Sequence, residues 1–165
     1  MIIDTMLAAA IEAAEVILEV YGTEFLSEAK SDGSPVTEAD GRAEAVILEH
    51  LRPLGLPVLA EESVSAGHVP VLGERFFVVD PLDGTREFVK KNGEFTVNIA
   101  LIEQNEPIFG VVHAPVTGET WHARQGRNAY RRVGQVDTQI RTRSPATGAL
   151  KVAASRSHRD ARTQA

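Results

Sequence analysis

The stretch Val78–Leu101, "VVDPLDGTREFVKKNGEFTVNIAL", ends an apolar run on two aspartates, Asp80 and Asp83, and follows them at once with Gly84 and Thr85. A short continuous apolar run bounded by turn residues reads as a buried strand. Two carboxylates held close at its end repel, and one takes up a proton unless a cation lies between them. Pro81 fixes its own backbone dihedral, so that both carboxylates and the Leu82 carbonyl can face one place. A hard divalent ion suits such donors: Mg²⁺ takes oxygen ligands at about 2.0–2.1 Å, commonly one or two carboxylates with waters and substrate phosphate. Gly84 permits close approach of the backbone to a ligand, and "GTREFVKK" (Gly84–Lys91) can open a short helix whose amides face an anion. The competing reading is that Asp83 caps this helix and Asp80 ends a strand at the surface; D-x-x-D-G alone does not choose between them.

Other acids bear on the choice. Glu61 and Glu62 follow the run "PVLA" (Pro57–Ala60) as Asp80 follows "FFVV" (Phe76–Val79), so neighbouring strands can deliver acids to one sheet edge, where ligands of open α/β sheets collect. Asp40 lies three residues after Thr37 and reads equally as a capping-box acid. Lys30, before "SDGSP" (Ser31–Pro35), can meet phosphate or stand in solvent. The five histidines, His50, His68, His113, His122 and His158, show no paired ligand spacing and read as ordinary surface or core residues.

Outward from this centre the chain reads as helices first, then strands. Asp4 is placed as the N-cap of a helix with Leu7, Ile11, Ala14, Leu18 and Tyr21 on one stripe and Gly22 at its end. "AKSDGSPVTEADG" (Ala29–Gly41) is turn-rich, after which Thr37 caps a second helix through Ala43, Val46, Ile47 and Leu51 to the stop at "RPLG" (Arg52–Gly55). "LPVLAEE" (Leu56–Glu62) and "RFFVVD" (Arg75–Asp80) are buried strands, with "ESVSAGHVPVLGE" (Glu62–Glu74) as loop between them. "FTVNIALIE" (Phe95–Glu103), "PIFGVVHAP" (Pro107–Pro115), "TGETWHARQ" (Thr117–Gln125) and "NAYRRVG" (Asn128–Gly134) form an antiparallel meander. A further strand, "LKVAAS" (Leu150–Ser155), follows. The expected fold is an α/β layered sandwich, two N-terminal helices on a mostly antiparallel sheet. Residues 1–148 form an α+β metal-binding domain, and residues 149–165 begin a second α/β domain.

Composition narrows the class. With 165 residues the chain makes one domain with a core of its own, and its 43% hydrophobic and 24% charged residues are those of a soluble protein. The opening "MIIDTMLAAAIEAAEVILEVYG" (Met1–Gly22) carries acids where a signal peptide needs a basic flank, and no apolar run is long enough for a transmembrane segment. A cytoplasmic location is expected. The absence of cysteine excludes disulfides and thiolate zinc sites. Residues 1–120 hold 7 Lys and Arg against 21 Asp and Glu, whereas residues 121–165 hold 10 against 2. The arginines of this basic end are spread over strands and turns, which reads as a solvated face and not as an arm for a nucleic acid polymer.

At these residues the chain resembles a family. "LAEES" (Leu59–Ser63), "DPLDGTREF" (Asp80–Phe88) and "SPVTEAD" (Ser34–Asp40) are similar to three N-terminal signatures of the inositol monophosphatase superfamily of Mg²⁺-dependent, lithium-sensitive phosphatases. "DPLDGTREFVKKNGEFTVNIALIE" (Asp80–Glu103) with "SRSHRD" (Ser155–Asp160) resembles most its 3′(2′),5′-bisphosphate nucleotidase branch, which converts adenosine 3′,5′-bisphosphate to AMP in sulfate assimilation. The resemblance implies that Glu61, Asp80 and the Leu82 carbonyl hold a first Mg²⁺ and that Asp80 and Asp83 share a second, with two or three ions in a complete site. It implies that Thr85 with Asp40 orients or deprotonates the attacking water. The backbone of Gly84, Thr85 and Arg86 would grip the phosphate, so that Glu61, Leu82, Asp83, Gly84, Thr85 and Arg86 surround the substrate. It also allows peripheral placement on the cytoplasmic face of the inner membrane.

One departure stands out. Members of the superfamily are expected to continue past "SRSHRD" into a W-D-x-A motif whose aspartate completes the second metal site, whereas the single tryptophan here, Trp121, precedes His122. The expectation is a fragment, weakly active or inactive and prone to self-association. An inositol monophosphatase-like sugar phosphatase and a non-catalytic metal or phosphate binder are the alternatives.

Overall fold

The computed structural model describes residues 1–29 and 35–142. Lys30, "LKVAAS", "SRSHRD" and the expected second domain at 149–165 lie outside the described residues. The elements run α1 (Ile2–Tyr21), β1 (Ser27–Ala29), β2 (Pro35–Thr37), α2 (Glu38–Leu51), β3 (Val58–Ala60), α3 (Glu61–Ser65), β4 (Arg75–Asp83), α4 (Thr85–Val89), β5 (Thr96–Glu103), β6 (Glu106–Ala114), β7 (Glu119–Arg124), β8 (Ala129–Val133) and β9 (Val136–Ile140). β1 and β2 form a small antiparallel ladder, and β3 to β9 form one seven-stranded sheet in sequence order. Among the described residues only the β3–β4 pair is parallel. This is the layered α/β arrangement expected from the sequence, with α1 and α2 packed on a mostly antiparallel sheet.

Helix α1 departs from its expected phase. It begins at Ile2 with Met1 as N-cap, so Asp4 lies in the first turn, beside the terminal ammonium at 2.9 Å, and does not cap. An acid there favours the positive end of the helix dipole. The buried face carries Met6, Ala9, Ala10, Ala13, Ile17 and Val20 together with Leu7 and Ala14, while Ile11 and Leu18 are each 37% exposed. The stripe through Leu7, Ile11, Ala14, Leu18 and Tyr21 misses Ala9, Ala10 and Ala13. Their small side chains let α1 lie close against α2, where Ala39 and Ala43 are also buried.

Thr37 caps α2 as expected. Its hydroxyl accepts from the Ala39 N–H at 3.2 Å, and Asp40 completes a capping box. A 3₁₀ turn over Arg52–Leu54 and a left-handed Gly55 then stop the helix. On the sheet, Phe77, Val79, Val97, Ile99, Leu101 and Val111 point into the helices and are buried. Each large side chain so removed from water stabilises by about 1.5–3 kcal/mol. The opposite face carries Phe76, Val78, Ala100, Ile102 and Trp121, all half-buried, and Val112, which is 39% exposed. Tyr21, Phe25, Phe88 and Phe95 form an aromatic cluster with ring centroids 4.7–5.2 Å apart, tying α4 to the end of α1 and the start of β5. Among the described residues no helix is long and apolar enough to cross a membrane.

Three further expectations are corrected. β3 ends at Ala60, and Glu61 and Glu62 open α3 where a strand end and loop were expected. The segment read as turn-rich contains β2 and begins on the last residue of β1. The strand β9 was not foreseen: "VDTQI" is short and exposed along its length, and it is held chiefly by its ladder to β8.

Candidate active site

Strand register brings the acids together. Ala60 of β3 lies opposite Val79 of the parallel β4, so Glu61, just past the end of β3, stands beside Asp80, after which β4 runs on to Asp83 where a strand end was expected, and the two carboxyl groups share a hydrogen bond. Asp83 reaches the same place through an irregularity. Side chains three apart on a regular strand point to opposite faces. Here Asp80 pairs with Asn98 and Asp83 with Thr96, three steps on β4 against two on β5. The additional β4 residue is a bulge, and it returns Asp83 to the face of Asp80. Asn98 Nδ2 donates to Asp83 Oδ2 at 3.1 Å, and Thr96 Oγ1 donates to Asn98 Oδ1 at 3.2 Å, fixing that carboxylate from the neighbouring strand. Leu82 meanwhile sends its side chain into the core, 1% exposed.

Gly84 makes the next turn possible. Its φ is +95°, and a Cβ there would sit 3.0 Å from the Glu94 carbonyl oxygen and 3.3 Å from Phe95 Cα. Only glycine satisfies both conditions without strain. The chain then enters α4, and Thr85 Oγ1 lies 3.1 Å from Asp40 Oδ1 and 3.2 Å from the Leu82 carbonyl oxygen, donating toward both. Asp40 is 1% exposed, and its Oδ2 accepts from the Thr37 N–H and hydroxyl, each at 2.8 Å. Asp40 thus makes two contacts at once: one oxygen caps α2 and the other meets Thr85. Arg86 is exposed beside them in the first turn of α4.

The electrostatics follow from this crowding. Burial, then the charges of Glu61 and Asp83 and the bond to Glu61, push the Asp80 carboxyl from 3.8 up to about 7; the Leu82 N–H, donating to Asp80 Oδ1 at 3.2 Å, acts the other way. Among the described residues no three His, Cys, Asp or Glu side chains converge as a finished metal cage. Yet a half-buried acid pushed up by burial and two like-charged neighbours, with oxygen ligands beside it, fits a hard divalent cation. The histidines take no part. His113 is bonded to Thr120, His50 to Glu12 and His122 to Asp137, His68 is exposed, and His158 lies outside the described residues.

A sequence profile of the inositol monophosphatase family matches residues 2–165. The chain belongs to the inositol monophosphatase family. Within the family it is 47% identical over 152 residues to the 3′(2′),5′-bisphosphate nucleotidase CysQ of Salmonella typhimurium, covering 90% of this chain and 61% of that protein. It is 44% identical over 163 residues to CysQ of Escherichia coli K12, covering 96% and 65%. The chain therefore spans less than two thirds of the length of these curated relatives. The crystal structure of CysQ from Bacteroides thetaiotaomicron superposes with a TM-score of 0.70 at 36% identity, over 97% of this chain and 64% of that one. An IMPase from Thermotoga maritima gives 0.72 at 28% identity, over 81% and 52%.

Sequence reasoning on this family member found the acids and Thr85, but two residues escaped it. Asn98 looked like one polar position in an alternating strand, and its role shows only in the ladder. Glu44, which no motif singled out, is buried in α2 at 4% exposure. No local signal marks either.

Proposed function

We propose that this chain carries the metal- and phosphate-binding site of a Mg²⁺-dependent phosphatase of the 3′(2′),5′-bisphosphate nucleotidase type, hydrolysing adenosine 3′,5′-bisphosphate to AMP and phosphate. The observation that carries the reading is the placement of Glu61, Asp80 and Asp83 on one face at the end of two strands, by parallel register and by the β4 bulge. Glu61, Asp80 and the Leu82 carbonyl would hold one Mg²⁺, and Asp80 with Asp83 a second. When bound, such ions supply a more acidic water and neutralise charge on the phosphate oxygens. Thr85 Oγ1 orients the attacking water and passes its proton toward Asp40 Oδ1, the geometry a general base requires. The backbone of Gly84, Thr85 and Arg86 faces the phosphate.

The likeness to CysQ proteins supports the nucleotidase over a sugar-phosphate substrate, and on the same grounds we place the activity in sulfate assimilation in the cytoplasm, with inhibition by Li⁺. Calorimetric titration with Mg²⁺, paired with phosphate release from adenosine 3′,5′-bisphosphate and from inositol 1-phosphate, tests the reading. Asp80→Asn is expected to remove most Mg²⁺ affinity. Equal affinity in the two proteins would mean that the strand-end acids are not a metal site, and faster release from inositol 1-phosphate would reverse the substrate assignment.

A further inference from the structure

Helix α3 is five residues long, and its N-cap, Ala60, has no side-chain acceptor for the amides of the first turn. Glu44 supplies acceptors from another helix. Its Oε2 accepts from the Glu62 N–H at 2.7 Å, and its Oε1 accepts from the Ser63 N–H at 2.8 Å and the Ser63 hydroxyl at 2.5 Å. Burying a carboxylate is costly unless donors surround it, and these three offset that cost. Glu44 lies four residues after Asp40, so the two carboxylates stand one turn apart on the same face of α2. Asp40 receives Thr85 just beyond β4, and Glu44 receives α3 just beyond β3. One helix therefore grips the chain past both strand ends, between which Glu61 and Asp80 meet.

We infer that Glu44 is a positioning residue for the metal site: it fixes where α3 begins, and with it the placement of Glu61 against Asp80. The inference rests on the metal-site reading above, but part of its test does not. Amide hydrogen exchange at Glu62 and Ser63 reads the anchor with no metal present. Exchange in Glu44→Gln is expected to accelerate at these two amides more than at the α1 amides; an unchanged rate overturns the inference. Mg²⁺ calorimetry is the second readout. Groups that orient metal ligands typically govern about 10–100-fold in affinity. Glu44→Gln, which keeps one acceptor, is expected near tenfold weaker binding and Glu44→Ala near the upper end. Ile47→Val, a core change one turn along the same helix, controls for stability loss and is expected to bind as wild type does. Wild-type affinity in Glu44→Gln overturns the inference even if the metal site is real. Should wild type and Asp80→Asn both fail to bind, the metal-site reading falls and with it the role assigned to Glu44, while exchange still reports whether the anchor exists.

Discussion

Gly84→Ala isolates the turn that joins β4 to α4. Two costs arise at this position. A Cβ on a left-handed residue costs about 1–2 kcal/mol, and φ of +95° lies beyond the left-handed basin where even that figure applies. The added methyl would also press on the Glu94 carbonyl at 3.0 Å and on Phe95 Cα and Cβ at 3.3 Å. Those are backbone and buried atoms that a rotamer change cannot move, and overpacking of this kind costs about 1–3 kcal/mol. The expected loss is about 2–5 kcal/mol, a large share of the roughly 5–15 kcal/mol that holds a typical domain folded. Gly55→Ala is the matched control, since Gly55 has φ of +68° and nothing within 4 Å of its added Cβ. It should lose only about 1–2 kcal/mol. Urea unfolding of the two variants, followed by circular dichroism, separates strain from contact. If Gly84→Ala lost no more stability than Gly55→Ala, the close approach of Gly84 to Glu94 and Phe95 would be wrong.

Thr85→Ala should lower kcat for phosphate release by about 100-fold or more while leaving KM and the melting temperature nearly unchanged, with Thr85→Ser restoring most of the rate; loss of stability without loss of rate would assign Thr85 to capping alone. Burial holds the His113 imidazole below its ordinary 6.5, so the unfolded chain binds the proton more readily. Stability should therefore be full above about pH 6.5 and fall as pH drops below it. His113→Gln should flatten that part of the profile, and an unchanged slope would refute the assignment. The half-open face of the sheet around Val112 and Trp121 should drive concentration-dependent self-association measurable by light scattering, relieved by Val112→Lys. A wild-type monomer at every concentration would dispose of that expectation.

Much of this molecule is legible in short-range pattern. The capping box at Thr37 and Asp40, the alternation of "FTVNIALIE" and the turn at Gly84 are local features, and local rules found them. What escaped depends on residues distant in sequence. The phase of α1 is set by alanines that match others on α2, which no reading of large apolar residues detects. β9 is exposed along its whole length, Val136 and Ile140 included, and exists because β8 offers it a ladder. Glu44 is separated from Glu62 by 18 positions, and only packing of α2 over the ends of β3 and β4 turns a helical glutamate into a clamp. The acids themselves were visible and a turn at Pro81 was expected to bring them together; β4 instead runs on through Asp83, and their convergence comes from its bulge against the register of β5.

Because β4 carries one residue more than β5 between the two aspartates, the length of the chain at this point is as constrained as its chemistry. Removing Pro81 or Leu82 would leave Asp83 opposite Thr96 on the face of Asp80, now by ordinary alternation, but it would take away a buried side chain and disturb the Leu82 backbone, whose N–H meets Asp80 and whose carbonyl meets Thr85. Adding a residue would shift every side chain from Gly84 onward. The stretch between Ala66 and Glu74 lies outside any strand ladder and is mostly exposed, so it can lengthen or shorten without changing what lies opposite what. Insertions and deletions should therefore gather in that stretch and be shunned between Asp80 and Asp83. A library of single-residue deletions would display the contrast, even where substitution at Pro81 is tolerated.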